Sequence, residues 1–150
     1  MNFQRLPDYL RWANGRMLES MKTAPKLESR AWEIAAHVLE AEWLWWQRLS
    51  GIVSSAISWP TQVNRDELPN FIQRNAAKYA EYIAKLGEAN PHITYTNSQG
   101  QTFTNTAQDM LAQVFSHGCY HRGQIAAMIK RGGGTPVLTD YIFFVRENPL

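Results

Sequence analysis

The feature that most constrains this chain is a long run of helical apolar periodicity late in the sequence, from about Thr106 to Arg131. Met110, Val114, His117, His121, Ile125 and Met128 recur along it at the spacing of one helix face. At about 3.6 residues per turn, His117 and His121 stand one turn apart on that face. The pattern therefore puts both imidazoles among core side chains instead of at the polar edge. Polar rings placed there need partners, and a metal ion serves both at once.

Three further segments carry the same period. The first, Leu6 to Met21, repeats Leu6, Leu10, Ala13, Met17 and Met21, with Pro7 in the first turn where its missing N–H is harmless. The second runs from about Ser29, a plausible N-cap, to Ser50, with Ile34, Val38, Ala41, Trp45 and Leu49 as its stripe and Gly51 as its stop. From Ile52 to Arg65 the periodicity fails, and Ser54-Ser55 and Trp59-Pro60 mark a loop long enough to carry the chain along a bundle. Asp66 reads as the N-cap of a third helix, which takes Leu68, Phe71 or Ile72, Asn75, Tyr79, Tyr82 and Leu86 to about Ala89.

Asn90-Pro91 breaks that helix. Ile93–Thr96 and Gln101–Thr104, around Asn97-Ser98-Gln99-Gly100, read as a β-hairpin. Thr106 and Asp109 then have capping-box spacing at the start of the fourth helix, which ends at Gly132-Gly133-Gly134. In the tail, Tyr141 to Val145 suggests a short docking helix. The expected fold is all-α: one domain over residues 1–150, a four-helix bundle with a long crossover, and a small hairpin before the last long helix.

With 150 residues the chain can bury a sizeable core. No apolar run approaches the roughly 20 residues of a membrane span, and the N-terminal residues lack the features of a secretory signal. The single Cys119 excludes an internal disulfide framework and suits a reducing cytoplasm. The net charge of +2 is spread over scattered basic residues. A nucleic-acid partner is therefore not expected.

Among the four histidines, His37 is the other helical one, at the edge of the second helix's stripe and able to point inward. His92 reads as a solvated loop residue. Three imidazoles with no fourth protein ligand leave a coordination position open, which is the pattern of a catalytic zinc site. Cys119 lies about 200° around the helix from its neighbours His117 and His121, so it faces away from them. Gly118 and Gly123 each weaken the helix by about 1 kcal/mol relative to Ala, which close approach of another helix or room beside a metal would explain. Arg122 points off the ligand face, and a solvated or salt-bridged side chain is its default role. Gln124 borders the ligand face and can hydrogen-bond near the site. Glu42 borders the apolar face of the second helix. It can orient an imidazole, act as a base, or pair with an Arg at the helix edge.

Other cofactor classes fail on residue type. A di-iron carboxylate bundle needs glutamates that the fourth helix does not contain. Two histidines one turn apart cannot take opposite axial positions on haem.

His37 with Glu42 and Trp45, the motif His117-Gly118-x-Tyr120-His121-Arg122-Gly123-Gln124-Ile125, and the tail Gly134-x-Pro136-x-x-x-Asp140-Tyr141-Ile142-Phe143-Phe144 together resemble the DinB family of DinB/YfiT-like metalloenzymes. The resemblance covers essentially the whole chain. It implies an up-down-down-up bundle, commonly a homodimer, with a divalent zinc or nickel ion on His37, His117 and His121. It also implies a small-molecule substrate. Related branches include thiol-dependent transferases and isomerases, so a low-molecular-weight thiol is the implied cosubstrate, with S-transfer or hydrolysis as the expected chemistry. The tryptophans on more than one side of the second helix also suggest a partner chain. The rival expectation is a non-catalytic, stress-linked metal-binding dimer.

Overall fold

A computed structural model describes residues 3–52, 63–97 and 99–149. Among these the chain is mostly helical, with five α-helices and one two-stranded antiparallel hairpin. Helix α1 spans Leu6–Met21, α2 Ser29–Leu49, α3 Leu68–Leu86, α4 Ala107–Arg131 and α5 Tyr141–Glu147. Strands β1 (His92–Thr96) and β2 (Thr102–Thr106) pair with Thr94 opposite Thr104. Each of the four long helices packs against two of the others: α2 and α1 both lie against α3 and α4.

Two helix starts depart from the local sequence signals. The N-cap of α2 is Glu28, not Ser29, and it makes no side-chain cap. Asp66 is not the cap of α3. Asn64 caps a short 3-10 turn, Arg65–Glu67, by accepting from the Asp66 amide, and α3 follows. It ends at Leu86 because Gly87 takes φ 58°, a conformation few other residues adopt. Thr106 does cap α4, accepting from the Asp109 amide at 3.1 Å. His92 belongs to β1, paired with Thr106, not to a loop. Most of the expected loop from Ile52 to Arg65, including Trp59-Pro60, lies outside the described residues, as does Ser98.

The buried stripe of α4 also differs from the expected one. It runs through Met110, Leu111, Val114, Gly118, Arg122, Ile125 and Ile129. His117 and His121 are half-buried at its edge, not at its centre. Apolar spacing cannot place a buried glycine and a buried arginine, so a stripe read from apolar residues alone is rotated toward the histidines.

The apolar core falls into two clusters. One gathers Met17, Met21, Ile34, Leu39, Leu68, Ile72, Ile125 and Ile129. The other gathers Leu6, Leu10, Leu49, Tyr79, Ile83, Met110, Val114 and Phe144. On every long helix a buried polar residue sits at the junction: Asn14 on α1, Glu42 on α2, Asn75 on α3 and Arg122 on α4.

Candidate metal centre

Two helices supply the histidines. His117 and His121 come from successive turns of α4, and α2 presents His37 to them. Its ring centroid lies 5.1 Å from that of His117 and 5.0 Å from that of His121. One ligand atom from each of the three lies within 4.8 Å of the others. The Nε2 atoms of His117 and His121 are 3.1 Å apart. Two imidazoles on a tetrahedral zinc, with bonds of about 2.0–2.1 Å, would hold their nitrogens about 3.3 Å apart. Donor type, number and spacing all fit a divalent ion, so the three histidines can hold one.

The tautomers follow from the neighbours. Gln124 Oε1 lies 2.7 Å from His121 Nδ1, so His121 carries its proton on Nδ1 and presents the Nε2 lone pair. In the metal-free protein His117 Nε2–H donates to that lone pair. Burial, then His121 and His37, push the His117 pKa down to about 4. Burial, His121 and Arg30 also lower that of His37. Neutral imidazoles are the form that binds metal. Tyr120, 65% exposed, sets its ring edge-on to His121 at 5.0 Å.

Glu42 lies elsewhere. Only 2% exposed, it accepts from Asn14 Nδ2 at 2.8 Å on one oxygen and from Asn75 Nδ2 at 3.2 Å on the other. Burial drives its pKa up to about 7 against the opposing pull of the two amides and Arg122. It is bound to amides, not set at a helix edge with an Arg.

Arg122 corrects the solvated or salt-bridged expectation most sharply. It points off the ligand face, but it is 3% exposed. Nη1 donates to Asn14 Oδ1 at 3.0 Å, and Nη2 to the Tyr9 hydroxyl at 2.7 Å and to Cys119 Sγ at 3.4 Å. Gly118 makes the space: a Cβ there would stand 2.7 Å from Arg122 Nη1. Gly123 has nothing within 4 Å of its would-be Cβ, and the structure gives no reason for it. Asn14 and Asn75, the two amides that hold Glu42, are functional candidates that apolar spacing does not single out, and their sequence signal is an amide beside or within the apolar series of its helix.

A mostly helical chain with three converging histidines on neighbouring helices fits a metal-binding protein. The DinB family model matches residues 7–149, and the chain belongs to that family. Protein DinB of Bacillus subtilis (strain 168) is 27% identical over 155 residues, which cover 91% of this chain and 90% of that protein. No solved structure matches the chain.

Proposed function

We propose that this protein is a metal-dependent enzyme in which His37, His117 and His121 hold one divalent ion, zinc or nickel, for S-transfer or hydrolysis on a small molecule. The observation that carries the reading is the convergence of three imidazole donors within 4.8 Å. A bound ion would lower the pKa of a coordinated thiol or water and so supply an anionic nucleophile near neutral pH. The chain's own part is to present lone pairs. His121 is ready, because Gln124 holds its proton on Nδ1, whereas His117 must give up its Nε2 proton. A cleft of about 410 Å³ lined by Trp45, Tyr95, Asn105, Asp109, Met110 and Gln113 offers room for a small molecule between α2, the hairpin and α4, although none of the three histidines lines it. Gln113 lies one helical turn before His117.

Elemental analysis of the purified protein and of His117→Ala tests the site. One equivalent of metal lost in the variant is the expected result, and unchanged stoichiometry overturns the assignment. Screening the metal-loaded protein with low-molecular-weight thiols and electrophiles tests the chemistry.

The second reading is a non-catalytic, stress-linked metal-binding dimer. It is favoured by the engagement of Glu42, whose two oxygens are both taken by amides. Metal-dependent turnover in the same screen would exclude it. A homodimer in the cytoplasm is part of both readings, and no described helix is long and apolar enough to cross a membrane.

The same proposal takes the chain as a single domain in which the long helices run up-down-down-up. Trp32 under Arg65, Leu39 against Asn75 and Trp46 near Lys78 support a parallel α2 and α3. Tyr9 with Cys119 and Asn14 with Arg122 support a parallel α1 and α4. His37 with His121, and Trp45 across the cleft from Asp109, support an antiparallel α2 and α4.

A further inference from the structure

We propose that the buried bridge Arg122–Asn14–Glu42 is a positioning device for the histidine centre, fixing α4 against α2 so that His37 meets His117 and His121. The inference rests on the metal-binding reading for its purpose, while its geometry stands on the bridge alone.

The bridge joins the two ligand-bearing helices through a third. From α4, Arg122 donates to Asn14 of α1 at 3.0 Å, and Asn14 donates to Glu42 of α2 at 2.8 Å. Asn75 of α3 completes it, donating to Glu42 at 3.2 Å and to the Leu39 carbonyl at 2.8 Å. Tyr9 anchors the far end, accepting from Arg122 and donating to the Thr139 carbonyl at 2.8 Å.

The bridge lies beside the ligands in sequence. Arg122 directly follows His121, Gly118 directly follows His117, and Glu42 lies five residues after His37, about 7.5 Å of helix rise.

Apolar packing is non-directional and tolerates small slides and rotations of one helix on another. Hydrogen bonds between buried groups do not, because they depend on distance and angle and each one lost leaves a buried polar group unsatisfied. A slip of one residue, about 1.5 Å, would break the bridge. Metal ligands need placement to a few tenths of an ångström. The two apolar clusters meet at this layer on all four helices, so it is the directional part of a core whose remainder is not. Gly118 supports the same account. A helix-weakening residue stands where any side chain would strike the guanidinium.

The test replaces the bridge with apolar residues of similar shape, Arg122→Met with Asn14→Leu and Glu42→Met. Such exchanges of buried ionic groups often leave stability unchanged or raised, so a folded protein is expected. In the metal-free wild type, nuclear Overhauser contacts between the His37 ring and the His117 and His121 rings should be present. In the variant they should weaken or vanish while the far-ultraviolet spectrum stays helical, and zinc affinity by chelator competition should fall about tenfold or more. Leu10→Ala, which loses stability in the apolar cluster without touching the bridge, should keep the ring contacts.

Ring contacts that persist unchanged in the folded triple variant overturn the proposal. If that variant does not fold, Arg122→Lys gives the same reading, since it keeps the charge but cannot hold Asn14 and Tyr9 together. A wild type that shows the ring contacts but takes up no metal would refute the metal-binding reading and leave the positioning result standing.

Discussion

The Glu42 carboxyl should make the stability of this protein fall as pH rises toward neutrality. Its folded-state pKa is raised from 4.5 to about 7, chiefly by burial. The folded protein therefore holds this proton more tightly than the unfolded chain does. The stabilisation is fully present below about pH 4.5 and is lost as pH rises through about 7. A shift of this size corresponds to roughly 3 kcal/mol at about 1.4 kcal/mol per pKa unit, or roughly 10 °C in Tm for a chain of this length. Glu42→Gln cannot ionise, and it also leaves an amide facing amide donors, so it should lower the low-pH stability by about 1–3 kcal/mol. The assay is urea unfolding of wild type and variant from pH 4 to 8 with chelator present. Other titrating groups cancel in the difference between the two curves. The wild-type advantage should fall by roughly 3 kcal/mol over that range, so that by pH 8 the variant equals or exceeds the wild type in stability. Parallel curves would refute the reasoning, showing that the two amides and Arg122 hold Glu42 ionised despite its burial.

Gly118→Ala should destabilise by about 1 kcal/mol net, because overpacking against the locked Arg122 guanidinium outweighs the gain in helix propensity. Gly123→Ala meets nothing and should stabilise by up to about 1 kcal/mol in the same denaturation assay. Adding zinc at about 100 times its Kd should raise stability by about 2.7 kcal/mol, an increase that chelator reverses; differential scanning calorimetry checks it. In the metal-free protein the His117 ring protons should titrate near pH 4, well below the usual imidazole value of 6.5, as followed by NMR.

Much of the architecture was legible because helical periodicity survives in single sequences. Leu6, Leu10, Ala13, Met17 and Met21 are all buried, as their spacing required. The hairpin and the Thr106 cap were legible from turn and capping chemistry. His37, His117 and His121 were legible as a possible triad because two lay one turn apart and few helical histidines remained. Polar burial was not legible. Arg122 and Gly118 look like surface and defect when read alone, and only three-dimensional packing shows one filling the space left by the other. Asn75 stood openly in the apolar series of α3, yet its partner Glu42 lies 33 residues away, beyond any local pattern. Nor were the neighbours of the off-stripe tryptophans legible: Arg74 lies 3.8 Å over the Trp43 ring and Lys78 5.8 Å from that of Trp46, contacts that join α3 to α2.

Because a hydrogen-bonded layer divides the core, sequence drift in one apolar half is insulated from drift in the other. Cavities opened at Leu10 and at Ile129 have no shared lining through which to relax, so their energetic costs should add. Truncations at Leu10 and Val114, within one half, should interact instead. Relatives can then diverge in either half separately, while substitutions in the layer must change together.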